Sequence, residues 1–200
     1  MTTAKARNKS STATVILAFG GGALALGALA YVILAGIPDG KAFSLVDHTG
    51  RAVTDKDYRG RYILAFFGYT SCPDICPTEL TAIAEALNIL GEAGAEVVPI
   101  FITVDPERDT PEHLKGYVEN FHPRMVGLTG TQGQIAAAAK AYRAQYVKLG
   151  DEDNDPDTYY MGHTSTIYLS GPDGKALFSF ERGSGPEKIA AEIQKFIGHS

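Results

Sequence analysis

Phe66-Phe67-Gly68-Tyr69-Thr70-Ser71-Cys72-Pro73-Asp74-Ile75-Cys76-Pro77-Thr78-Glu79-Leu80 is the stretch that decides the fold, and it holds both cysteines of the 200-residue chain. Just upstream, Tyr62 to Phe67 is a short apolar run rich in aromatics, which predicts a buried strand. Downstream, Pro77 opens a run to Leu87 that predicts a helix, with the proline where a first turn tolerates one. The thiols then occupy a strand-to-helix turn. Free backbone N–H groups at a helix N-terminus favour a thiolate and lower its pKa. The thiolate attacks disulfides and binds soft metals, so a Cys-x-x-x-Cys pair placed here points to reversible disulfide chemistry or to capture of Cu(I) between two sulfurs. A purely structural disulfide would close a very small loop and constrain the unfolded chain little.

Two hundred residues suffice for one domain with a sizeable core. Two cysteines exclude a disulfide scaffold and a four-cysteine zinc site, and the five histidines form no HxH or HExxH pattern. Residues 1–38 carry three of the 18 basic residues and no acid, which leaves 15 against 23 acids, a net of −8, for the remainder. So acidic a domain argues against nucleic acid as a partner.

Val15 to Ile37 is a run of 23 residues without a charge. At ~1.5 Å per residue it is long enough for a bilayer core of roughly 30 Å. Ala28-Leu29-Ala30 resembles a signal-peptide cleavage site, but the apolar run continues through Tyr31 to Ile37, for which a cleaved signal has no use. The expectation is an uncleaved anchor. Lys5, Arg7 and Lys9 precede it and only Lys41 follows as closely, which by the positive-inside rule leaves the N-terminus in the cytoplasm. The chain then divides into a cytoplasmic N-terminus (1–14), a single transmembrane helix (15–37) and an extracytoplasmic domain (38–200).

Within the domain, residues 43–53 predict a small hairpin with His48 as a solvated turn residue. Glu96 to Val104 predicts a second buried strand, weakened by Pro99. Thr110-Pro111-Glu112 starts a helix to Phe121, residues 125–130 give a short strand, and Thr131 caps a helix over Gln132–Tyr142. A hairpin runs from Tyr146 to Met161 through the acidic tip Asp151-Glu152-Asp153-Asn154-Asp155-Pro156-Asp157. The tip fails as a calcium loop, because Pro156 stands where the EF-hand requires Gly and Gly162 where it requires Glu; it reads as a solvated tip or a partner-docking loop. A strand beginning at His163, a turn at Pro172-Asp173-Gly174, a returning strand and a helix from Pro186 to Phe196 close the chain. The fold class is α/β, a thioredoxin-like fold with inserted hairpins.

Three residues outside the cysteine turn are candidates for the site. His163 stands at the start of a core strand, where it either caps the strand edge or binds metal. Asp105 follows the second buried strand, at the sheet edge where open α/β sheets bind ligands, and is expected to face the thiol crevice. Asp105 and Asp109 are also ordinary turn and capping residues. Met161 offers a soft thioether but is more commonly core filler.

Four motifs together resemble the Sco/SenC family of membrane-anchored, thioredoxin-like copper proteins that serve cytochrome c oxidase assembly. They are Gly68-Tyr69-Thr70-Ser71-Cys72-Pro73-Asp74-Ile75-Cys76-Pro77, Val104-Asp105-Pro106-Glu107-Arg108-Asp109-Thr110-Pro111, Gly127-Leu128-Thr129-Gly130 and Tyr160-Met161-Gly162-His163. The resemblance spans about residues 40–197. It implies that Cys72, Cys76 and His163 bind copper, as Cu(I) or Cu(II), and that Asp105 acts beside the copper site or in a partner contact. It implies a metallochaperone with an upstream copper donor and, as acceptor, the binuclear copper site of cytochrome c oxidase. The alternative it leaves open is a thiol–disulfide oxidoreductase in which Cys72 and Cys76 are the redox-active pair and reduce the cysteines of that site. The N-terminus lacks a long Arg-rich presequence, which fits a bacterial inner membrane, with the domain in the periplasm, ahead of a mitochondrial inner membrane.

Overall fold

The computed structural model describes residues 42–150 and 159–198. Its centre is a pair of parallel strands, β3 (Tyr62–Gly68) and β4 (Val97–Thr103), in which every residue is buried. Strands covered on both faces need continuous apolar runs without alternation, which is why YILAFFG and VVPIFIT read as they do. β1 (Ser44–Asp47), β2 (Ala52–Thr54), β5 (Val126–Thr129), β8 (Ile167–Ser170) and β9 (Ala176–Phe180) complete a seven-stranded sheet of order β2-β1-β5-β4-β3-β8-β9. β4 and β5 are parallel, whereas β3–β8, β8–β9, β1–β5 and β1–β2 are antiparallel.

Helices α1 (Ile75–Leu90) and α4 (Pro186–Ile197) pack on each other, α2 (Pro111–Val118) packs on β5, and α3 (Gln132–Tyr142) lies against β1. Alternation along β3 puts Phe66 and Gly68 on one face and Phe67 on the other. Phe66 stacks near Phe101, and Phe67 meets Tyr142 of α3 edge-on. A separate two-stranded sheet, β6 (Tyr146–Leu149) with β7 (Tyr160–His163), is inserted after α3. This mixed α/β arrangement is thioredoxin-like, with the hairpin β1–β2, the unit β5–α3 and the hairpin β6–β7 added.

Several expectations are met and several are corrected. Thr110 caps α2 by accepting from the His113 N–H, and Thr131 forms a capping box with Gln134. Pro99 does lie in a central strand, but β4 pairs with β5 only from Ile100 onward, so the proline stands one residue short of that ladder. Helix α1 begins at Ile75, two residues before Pro77, so Cys76 is inside its first turn. α2 stops at Val118 instead of Phe121. His163 ends β7 opposite Tyr146 and does not begin β8, which starts at Ile167. His48 is half-buried: its N–H donates to the Gly127 carbonyl and its Nδ1 accepts from the Gly127 N–H, so the turn is latched to β5. The expected anchor over 15–37 and the acidic tip at 151–157 lie outside the described residues. Among the described residues no helix is long and apolar enough to cross a membrane.

Candidate metal centre

Cys72 and Cys76 are free thiols, the first half-buried and the second fully buried. Cys76 is fixed by the first turn of α1, and its sulfur packs against Gly68 at the end of β3. A Cβ on Gly68 would lie 2.7 Å from Cys76 Sγ and 2.9 Å from Phe101 Cε2, so only glycine leaves room for the thiol. Cys72 lies in the connecting loop, where its N–H donates to the Tyr69 carbonyl. The Cys76 N–H, one of the unpaired donors of the helix start, points to Cys72 Sγ at 3.5 Å.

That geometry divides the two thiols. A hydrogen bond from the Cys76 thiol, aided by the Cys76 and Asp74 backbone N–H groups and by His163, pulls the Cys72 pKa down to about 4 against the opposing effect of burial. The same shared hydrogen bond, with burial, pushes Cys76 far above the ordinary thiol range. The metal-free pair therefore holds one proton, with Cys72 as the thiolate and Cys76 as its donor.

His163 reaches this pair from the inserted hairpin. Its Nε2 lies 3.4 Å from Cys76 Sγ. Its Nδ1 is 3.2 Å from the Thr164 carbonyl, which can only accept, so Nδ1 carries a hydrogen and Nε2 is the ring nitrogen turned to the sulfurs. The rings of Phe66 and Tyr69 both meet the imidazole edge-to-face, at 5.9 and 6.0 Å between centroids. The ligand atoms of Cys72, Cys76 and His163 all lie within 4.8 Å of one another. Metal–sulfur and metal–nitrogen bonds of about 2.0–2.3 Å put the donors of a trigonal centre roughly 3.5–4 Å apart, so small side-chain shifts bring the three groups onto one ion. An open cleft of about 680 Å³ runs beside the imidazole, lined by Ala139, Tyr146, Val147, Gly162 and Thr164 among others.

The two aspartates after β4 take different places. Asp105 is buried, and its carboxylate is engaged by Arg108 Nε at 2.5 Å and by the Tyr159 hydroxyl at 2.7 Å. Arg108 lies 3.8 Å above the Tyr159 ring and donates to the Tyr159 carbonyl, while Lys148 Nζ stands 3.9 Å from the same ring. Asp105 thus ties the end of β4 to the hairpin that carries His163. The acid that reaches the thiol turn is Asp109, which accepts from the Thr70 N–H, the Thr70 hydroxyl and the Thr103 hydroxyl. Burial pushes its pKa up, against the effect of those hydrogen bonds. The sequence carries no local signal for this role, because Thr70 and Asp109 are 39 positions apart. Met161 is buried on β7.

The SCO1/SenC family model matches residues 36–198. The human mitochondrial SCO1 homolog is 44% identical over 156 residues, which is 77% of this chain and 51% of that protein. The chain spans about half to three-fifths of the length of the human SCO1, fission-yeast sco1 and bovine SCO2 proteins it matches. Among solved structures, Bradyrhizobium japonicum ScoI with copper bound is 43% identical with a TM-score of 0.71, covering 80% of this chain and 99% of that one. BsSco, described as a member of the Sco family of cytochrome c oxidase assembly proteins and as having a disulfide switch, is 28% identical with a TM-score of 0.64, covering 80% and 93%.

Proposed function

The chain belongs to the SCO1/SenC family, and on that premise we propose that it is a copper metallochaperone for cytochrome c oxidase assembly. The observation that carries the reading is the convergence of Cys72 Sγ, Cys76 Sγ and a His163 ring nitrogen within 4.8 Å. Two thiolates supply the soft donors that Cu(I) prefers, and the imidazole adds a borderline nitrogen that also suits Cu(II). The copper-bound relatives support the choice of metal. Copper uptake displaces the one proton that the thiol pair shares. A three-donor set leaves coordination positions open, so ligands of the acceptor enter before those of the donor leave. The acceptor in this reading is the binuclear copper site of cytochrome c oxidase, and a separate donor loads the protein upstream.

The chain is loaded with copper and purified without oxygen, and its copper content and free thiols are counted. One copper per chain, with both thiols protected from alkylation until a chelator is added, is the expected result. No retained copper and two freely alkylated thiols would exclude the reading.

A second reading is a thiol–disulfide oxidoreductase. The half-exposed Cys72 thiolate backed by a buried Cys76 thiol favours it, since one sulfur is poised to attack and the other to resolve. Cys72 would attack the acceptor disulfide to form a mixed disulfide, and Cys76 would displace the acceptor's second sulfur. The acceptor gains two electrons as its dithiol, and Cys72–Cys76 is left oxidised.

In this reading the domain works on the outer face of an inner membrane, with residues 15–37 as its anchor and the N-terminus inside. In a bacterial host, protease added to spheroplasts digests the domain and leaves Val15–Ile37 in the membrane fraction. A mature N-terminus at Tyr31 would instead show a cleaved signal.

A further inference from the structure

Of the three clustered ligands, Cys76 is fixed by a helix, and His163 by β7, two aromatic rings and the Thr164 carbonyl. Cys72 has no such frame. It lies in the loop between β3 and α1, outside both elements. Something must hold that loop for the three donors to converge.

The restraint is a carboxylate with no exposed surface. Asp109 Oδ1 accepts from the Thr70 hydroxyl at 2.5 Å, and Oδ2 accepts from the Thr70 N–H at 3.1 Å and from the Thr103 hydroxyl at 2.5 Å. Its far side is anchored as well. Thr103 is the last residue of β4, paired in register with Gly68, and its oxygen accepts from the Asp105 N–H at 2.9 Å. The Asp109 N–H closes a turn onto the Asp105 carbonyl at 3.0 Å. The carboxylate is therefore bolted to the end of the central sheet and grips Thr70 from both its backbone and its side chain. Thr70 is two residues before Cys72, and the Cys72 N–H is tied back to Tyr69, so rotation of Thr70 carries the Cys72 sulfur with it. Burying a carboxylate is unfavourable unless its lone pairs are satisfied, and here two of the three bonds that satisfy it hold the loop while the third holds the sheet.

We propose that Asp109 is a positioning residue for the metal centre: through Thr70 it sets the place of Cys72 opposite Cys76 and His163. The proposal rests on the copper-binding reading above. Partners that orient a ligand without touching the metal affect affinity by about 10–100-fold when removed.

The test uses the chain with four substitutions. Asp109→Ala removes the grip, and Asp109→Asn keeps an acceptor for the Thr70 N–H while the hydroxyls turn to suit the amide. Thr70→Val removes only the hydroxyl bond, and Thr70→Ser restores it. Cu(I) affinity is measured by competition with a chelator, the Cu(II) form by its absorption spectrum, and the metal-free loop by hydrogen exchange at the Thr70 amide. Expected are at least a ~10-fold loss of Cu(I) affinity and an altered Cu(II) spectrum for Asp109→Ala and Thr70→Val, with Asp109→Asn and Thr70→Ser close to the parent. Exchange at Thr70 should rise in Asp109→Ala. Variants that melt earlier yet bind copper with parental affinity and spectrum would reduce Asp109 to a structural residue and overturn the proposal. If Asp109→Ala does not fold, Thr70→Val against Thr70→Ser decides. A parent chain that binds no copper sinks the chaperone reading, and unchanged Thr70 exchange in Asp109→Ala sinks this one.

Discussion

His163 Nε2 stands 3.4 Å from Cys76 Sγ across 87 positions of sequence. One atom comes from an inserted hairpin and the other from the first turn of α1, so the pair exists only once β3, α1 and the hairpin have come together. The centre is a product of tertiary structure, and its parts can be removed separately.

Removing a sulfur and removing the imidazole should have different consequences. Cys72→Ser or Cys76→Ser abolishes tight Cu(I) binding, because the soft donors are lost. His163→Ala spares much of the Cu(I) affinity and weakens Cu(II) far more, since Cu(II) prefers more nitrogen and oxygen ligands. Titration of both ions on each variant checks this. Equal losses of the two ions in His163→Ala would contradict the division.

The same histidine separates chaperone from reductase. Disulfide exchange needs a thiolate and no third ligand. His163→Ala should reduce an oxidised acceptor domain at close to the normal rate, yet fail to deliver copper from its Cu(II)-loaded form. Mass-tagging of the acceptor thiols and its copper absorption bands follow the two outcomes on one sample. Normal delivery with lost reduction would favour the oxidoreductase.

Cys72 should stay reactive far into acid. Its folded pKa of about 4 lies below the unfolded value near 9, so the thiolate is the form that folding favours. The stability this contributes is fully present above about pH 9 and is lost as pH falls through about 4. Alkylation of Cys72 by iodoacetamide should be near its plateau at pH 6. In Cys76→Ala, which removes the main hydrogen-bond donor, the profile should move up toward the ordinary thiol range. An unchanged profile would show that Cys76 does not hold the Cys72 charge.

Gly68→Ala places a methyl 2.7 Å from Cys76 Sγ. Overpacking of this kind costs about 1–3 kcal/mol. Because the displaced atom is a sulfur of the centre, copper affinity should fall together with stability. Thermal melting with and without copper tests it, and parental copper affinity would show that the sulfur moves without consequence.

Asp105→Asn strips the charge partner from Arg108, whose side chain is 16% exposed. Breaking a buried pair from one side costs about 3–5 kcal/mol, which corresponds to a fall in Tm of roughly 6–20 °C for a domain of this size. Cu(I) affinity should drop by less than the ~10-fold that marks an outer partner of a ligand. A loss as large as that of Cys72→Ser would make Asp105 a ligand.

Local chemistry was legible in the sequence. The cysteine turn, the two buried strands, the Thr110 and Thr131 caps and the α/β order all follow from runs and residue types within a few positions. What was not legible depends on distant partners. Nothing near Asp109 announces that it accepts from Thr70, and nothing near His48 announces its latch to Gly127. Nothing near Glu79 in the helix after Pro77 announces that it is buried, with Oε1 accepting from the Gly183 N–H across 104 positions. His163 was placed one element too late because the apolar run of β8 conceals the short break at Thr164–Thr166.

The hairpin that brings His163 shares no ladder with the seven-stranded sheet. Its opening therefore need not break a ladder of the strands that frame the two sulfurs; what it must break is the Tyr159–Asp105 hydrogen bond and the ring contacts of His163. Withdrawal of His163 with its hairpin would leave two sulfurs in place of a three-donor set, which weakens the hold on Cu(II) far more than that on Cu(I). The hold on Cu(II) would then depend on the stability of β6–β7, and substitutions remote from every ligand become a means of adjusting its residence time.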